Sequence, residues 1–80
     1  MTKKEMIKTF KENGISFKQN RKGNSVALYF DNDHLLKIKD FDDNTGTCLA
    51  IVFDTLSVPF KKLSEEKVSI SQITWEVLRY

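Results

Sequence analysis

The sequence predicts a small α+β domain, an antiparallel meander of three or four strands with N- and C-terminal helices packed together on one face. Three observations carry this. Apolar side chains run six deep from Cys48 to Phe53, between Gly46 and Asp54, which reads as a central strand, Thr47 to Asp54, covered at least in part on both faces. Upstream of it, short segments of alternating polarity are separated by turn-forming residues. At the N-terminus, apolar residues fall at helical spacing behind a capping sequence.

The first helix is expected from about Lys3 to Asn13. Thr2 and Glu5 fit a capping box, Met6, Ile7 and Phe10 form one stripe, and Asn13-Gly14 is a stop, because glycine accepts the left-handed conformation past a last helical turn. Ile15, Phe17 and Gln19 then alternate with Ser16, Lys18 and Asn20. The turn R-K-G-N and a second alternating run, Ser25 to Phe30, complete a hairpin. A third strand, His34 to Phe41, follows the turn Asp31-Asn32-Asp33.

Directly opposed residues in an antiparallel pair share a face, so register can be argued from the turns. A turn over Asp31 to Asp33 pairs Leu28 with Leu36 and Val26 with Ile38, and a loop from Asp42 to Thr45 would pair Ile38 with Leu49 and Leu36 with Ile51. One face then collects Ile15, Phe17, Val26, Leu28, Phe30, Leu36, Ile38, Leu49, Ile51 and Phe53. The other carries Lys18, Ala27, Tyr29, Leu35, Lys37, Lys39, Cys48, Ala50 and Val52, a mixed surface with more apolar area than a purely solvated face needs.

Pro59 interrupts Thr55 to Leu63, which reads as a loop or short edge segment, since proline cannot donate within a central strand. From Ser69 to Tyr80 two periods compete. Ile70, Ile73, Val77 and Tyr80 share a helical face flanked by Trp75 and Leu78, with Ser69 or Ser71 as cap, whereas Ile73, Trp75 and Val77 also alternate as a strand would. The helix is the reading adopted.

Eighty residues form one domain, with six phenylalanines and one tryptophan to accommodate and little volume for a deep substrate cleft. No apolar run approaches a membrane span, and no long apolar segment follows the charged start, so a cytoplasmic protein is expected. A lone cysteine, Cys48, fits a reducing compartment. The net charge of +2 is unevenly spread, with +5 up to Lys22 and −4 from Gly23 to Phe60, a layout that steers association with charged partners.

S-V-A-L-Y-F at Ser25 to Phe30, the apolar strand ending in Phe53, the Pro59-Phe60 pair, and V-S-I with E-V-L near the end resemble the small bacterial YkuJ-like domains in order and spacing. The resemblance covers about Ser25 to Tyr80 and implies an αβββα arrangement with a helical C-terminus. It implies no function, cofactor or site residue. The basic hairpin before Ser25 departs from that pattern.

Little here points to catalysis. His34 is the only histidine and lies at a turn-to-strand junction without a nucleophile nearby in sequence, and Cys48 has no flanking base. Asp40, Asp42 and Asn44 follow the spacing of a calcium loop, but the glycine comes one position late and Ile51 stands where a bidentate glutamate is required. No metal, cofactor or enzymatic activity is expected. Two binding surfaces remain. The mixed sheet face, with Tyr29, Leu35, Lys37 and Val52, would contact a protein partner or a second copy of the chain in a homodimer. Alternatively Lys4, Lys8 and Lys11 on the first helix, with Lys18, Arg21 and Lys22 on the first hairpin, would track a nucleic-acid backbone. Tyr29, among Lys18, Lys37 and Lys39, could also stack a base.

Overall fold

Thr2 starts the first helix as the sequence requires. Its hydroxyl accepts from the Glu5 N–H at 3.2 Å and the Glu5 carboxylate accepts from the Thr2 N–H at 3.0 Å, so both arms of the capping box are made. The structure is a computed structural model that describes residues 1–79. Its elements are α1 (Lys3–Glu12), β1 (Lys18–Gln19), β2 (Val26–Tyr29), β3 (His34–Asp42), β4 (Thr47–Asp54), β5 (Lys61–Ser69) and α2 (Ile70–Leu78). The strands form one antiparallel sheet in the order β1-β2-β3-β4-β5, a five-stranded meander rather than one of three or four.

The added strand is β5, which pairs along the whole of β4, from Thr47 with Ser69 to Asp54 with Lys61. Its first seven residues, Lys61 to Lys67, are all exposed, so no alternation marked it in the sequence. Pro59 lies outside the ladder, in the loop before it, and a charged edge strand follows.

The C-terminal ambiguity resolves as helix. The Ser69 hydroxyl accepts from the Gln72 N–H at 3.0 Å, and the Ile70 N–H donates to the Gly46 carbonyl at 2.8 Å, tying the start of α2 to the β3–β4 turn. Ile70, Ile73, Thr74 and Val77 are buried, and Trp75 is left exposed on the flank. Buried Thr74 meets its hydrogen-bonding need within the helix, donating to the Ile70 carbonyl at 2.6 Å. Tyr80, placed on the same face by periodicity, lies outside the described residues.

Both helices cover one face of the sheet. Met6 and Phe10 of α1 and Ile70, Ile73 and Val77 of α2 close over Val26, Leu28, Leu36, Ile38, Cys48 and Ala50, with Phe10 and Phe17 rings tilted 5.9 Å apart. The β2–β3 register is the expected one, Val26 opposite Ile38 and Leu28 opposite Leu36. The β3–β4 register is not. Ile38 faces Ala50 and Leu36 faces Val52, so Cys48, Ala50 and Val52 lie under the helices while Leu49, Ile51 and Phe53 lie on the opposite face.

The cause is one residue. The turn closes Asp42 against Thr47, and the ladder then slips between Lys39 and Asp42, where Asp40 adopts a left-handed φ of 52°. A β-bulge inserts an unpaired residue, and an odd insertion exchanges the two faces of everything beyond it. It also turns Phe41 towards α1, where it packs on the core with the Lys3 ammonium 5.9 Å from its ring centre. Without the bulge, Phe41 would share the face of Lys37 and Lys39. Phe41 is half-buried, so it gains a part of the about 1.5–3 kcal/mol of a fully buried phenylalanine, comparable with the cost of a left-handed residue, about 1–2 kcal/mol and less for aspartate.

Candidate functional site

With α1 and α2 on one face, the other face of the sheet is left open, and the cross-strand pairs define its content row by row. Tyr29 faces Leu35, Leu35 faces Phe53, and Phe53 faces Lys62. In the next row Lys18, Ala27, Lys37, Ile51 and Glu65 follow one another across all five strands. The third row sets Lys39 beside Leu49 and Leu49 beside Lys67. The centre is therefore apolar and aromatic and the surround is basic.

Five lysines, Lys18, Lys37, Lys39, Lys62 and Lys67, share this face with two acids, Glu65 and, beside the β3–β4 turn, Asp42, which faces Thr47. Glu65 is engaged by Lys62 at 3.6 Å, a pairing across three positions that the second bulge, at Leu63, allows by putting both residues on the same side. Among the described residues no acid pairs with Lys18, Lys37, Lys39 or Lys67. Tyr29 is 60% exposed, Leu35, Leu49 and Phe53 are half-buried, and Ile51 is buried at 4% exposure by its neighbours on the same face.

Two shallow grooves border this face along the first hairpin. One, of about 300 Å³, is lined by Ser16, Lys18, Ala27, Tyr29 and Leu35 among others. The second, of about 460 Å³, has Lys37, Lys39, Asn20, Asn24 and Ser25 in its wall. Lys3, Phe41, Asp40 and Asp43 complete it. The Asn20 side chain holds the hairpin turn, its carbonyl oxygen accepting from the Asn24 and Ser25 N–H groups at 2.8 and 3.2 Å. The Lys3 ammonium donates to the Gly23 carbonyl, and the Asp43 carboxylate accepts from the Lys3 N–H at 2.9 Å.

Of the expected contact residues, Tyr29, Leu35 and Lys37 are together on the open face, and Val52 is not. Val52 faces Leu36 and lines a small gap of about 150 Å³ beneath α2 with Phe30, Ile73 and Val77, a correction that follows from the bulge at Asp40. The same shift delivers Phe53 and Leu49, which the register argument had assigned to the core. Nor does the fold unite the basic end. Lys4, Lys8 and Lys11 stand exposed in the helix layer, with Lys8 3.9 Å from Glu12, while Lys18 is on the far side of the sheet and Arg21 and Lys22 lie in the β1–β2 turn.

The remaining candidates for chemistry are occupied structurally. The Asp42 carboxylate accepts from the Asn44 and Thr45 N–H groups at 3.0 and 3.3 Å, as a turn residue does, and no group of three metal-ligating side chains occurs among the described residues. The His34 ring stacks on Phe30 at 5.5 Å, and its Nδ1 lies 2.9 Å from both carboxylate oxygens of Asp31. The Asp33 N–H and then the His34 side chain hold the Asp31 carboxyl below its usual range. Burial pushes the Cys48 thiol up to about 11. The loop between β4 and β5, expected around Pro59, leaves Leu56 and Val58 73% and 95% exposed.

The fold and the face together describe a small α+β domain presenting one open, lysine-rimmed sheet surface. No family model, curated protein or solved structure matches this chain. No helix among the described residues is long and apolar enough to cross a membrane.

Proposed function

We propose that this chain is a non-enzymatic binding module whose working surface is the open sheet face, and that the partner it takes there is negatively charged. The observation that carries this is the composition of the face: an apolar and aromatic group of Tyr29, Leu35, Leu49 and Phe53, with five lysines against Glu65 and Asp42 around it. An apolar centre inside a charged surround is how binding surfaces are built, the centre supplying affinity and the surround orientation and rate. The open face is not needed to close the core, since the helices close it from the other side.

Self-association through this face is the weaker form of the proposal. A two-fold contact presents the same patch on both copies, so the basic surround of one would lie against that of the other. The heterotypic form has no such conflict.

Heparin serves as a generic polyanion for the test. Replacing Lys37 and Lys39 together by glutamine should lower the salt concentration at which the protein leaves a heparin column, whereas replacing Lys4 and Lys8 should change it little. The reverse ranking would transfer the binding surface to α1 and end the open-face reading.

A further inference from the structure

We infer that the occupant of the open face is a single-stranded nucleic acid, with bases stacked on Tyr29 and Phe53 and phosphates held by the lysines around them. This inference rests on the open-face reading and narrows it to one class of partner. The bulge at Asp40 puts Phe53 into the same cross-strand row as Tyr29, with only Leu35 between them. Their backbones are therefore two strand spacings apart, about 10 Å. Two aromatic side chains projecting from neighbouring parts of one sheet, with the unpaired Lys18, Lys37, Lys39 and Lys67 in the two rows beside them, form the stacking platform and electrostatic track that single strands require.

The first-hairpin grooves extend this track. Tyr29 borders one groove with Lys18, and Lys37 and Lys39 border the other. In the second groove the Asn24 amide NH₂ and the Ser25 hydroxyl have no partner among the described residues, so both can donate to a phosphate oxygen beside the two ammonium groups. Asp40 and Asp43 in the same wall restrict where the phosphate can sit, and favour the end of the groove nearest Lys37 and Lys39. A duplex would satisfy the lysines but keep its bases stacked away from Tyr29 and Phe53. An acidic protein would satisfy the lysines and leave the exposed Tyr29 ring and the half-buried Phe53 ring to find apolar partners of their own.

The test is fluorescence anisotropy with labelled oligo(dT) and oligo(rU) of about 12 nucleotides, and with a duplex of the same length, between about 50 and 200 mM salt. Single strands should bind more tightly than the duplex, and the preference between dT and rU distinguishes a DNA from an RNA ligand. Tyr29→Ala and Phe53→Ala should each weaken single-strand binding by about five-fold or more and leave the salt dependence unchanged, with Tyr29→Phe close to wild type. Lys37→Gln should instead lower the slope of log affinity against log salt by about 0.7. Circular dichroism melts of each variant confirm folding, and Tyr29 is exposed enough that its replacement leaves the core intact. Equal binding of duplex and single strand, or Tyr29→Ala and Phe53→Ala variants that bind like wild type, would overturn the inference. If polyglutamate displaces heparin from the face as well as oligo(dT) does, the ligand is an acidic protein and the open-face reading survives alone. If neither heparin nor any oligonucleotide responds to the lysine substitutions, both fall.

Discussion

Asp40 holds φ at 52° within a strand, and the face of every residue in β4 depends on it. A β-branched side chain is strained in the left-handed region, so Asp40→Val should cost about 1–2 kcal/mol of stability, while Asp40→Gly should stay within about 0.5 kcal/mol of wild type in urea titrations. A valine variant as stable as wild type would show that the bulge can be abandoned at no cost. Cys48 is 1% exposed with its thiol pushed up to about 11, and it should resist alkylation at neutral pH until the protein unfolds. Rapid labelling of the native protein would mean that β4 opens locally. Two surface carboxylates make acid part of the stability profile. Glu5 is held below its ordinary 4.5, chiefly by the Thr2 N–H and then the Thr2 hydroxyl, and Asp31 below its ordinary 3.8. Because both folded values are depressed, their contributions are complete above those ordinary values and vanish as pH falls through the folded ones. The melting temperature should therefore decline below about pH 4.5, and less steeply in the Glu5→Gln, Asp31→Asn double variant.

At the scale of elements, the parts legible in the sequence were those with a one-sided pattern or a specific cap. α1 was announced by Thr2, Glu5 and the Met6–Phe10 stripe, and β4 occupies the same eight residues that its apolar run marked. β5 was legible only as the loop or short edge segment expected from Thr55 to Leu63, because a solvated edge strand has no face to bury and so shows no alternation. The register of β4 was hidden for the opposite reason. Cys48, Ala50 and Val52 are apolar, and so are Leu49, Ile51 and Phe53, so the pattern accepts either face and only the bulge decides. The decision places the smaller set under the helices, where they can approach the sheet closely, and the larger set outside. Of the candidate site, Tyr29, Leu35 and Lys37 were therefore readable from the β2–β3 turn, and Phe53, Leu49, Lys62 and Lys67 were not. The α1 cap gives a direct check on this scale: Thr2→Ala removes both hydrogen bonds of the Thr2 hydroxyl, leaves the Thr2 N–H on the Glu5 carboxylate, and should cost about 1 kcal/mol, seen as a lower urea midpoint with unchanged slope.

For the whole molecule, one core joins both helices to four strands, and an 80-residue domain has only several kcal/mol of net stability to lose. Phe10 is fully buried between α1 and the sheet, so Phe10→Ala should cost about 3–5 kcal/mol and leave the domain largely unfolded at 37 °C. A folded Phe10→Ala protein would place the centre of the core elsewhere. Core and open face meet in β4, whose alternate residues serve each, so substitutions on that strand should be made outward at Phe53 or Leu49 when binding is to be separated from folding.

The two ends of the sheet differ in length, nine residues in β5 against two in β1. A strand of two residues is too short to template another, so any edge-to-edge joining of copies would have to use β5 on both sides. Such a junction is closed by a two-fold axis and leaves only the short β1 edges outward. Edge-to-edge pairing, where it occurs, would therefore stop at two copies. Overexpression at high concentration would then end in discrete dimers, where a sheet extendable at both edges could grow without limit into fibres.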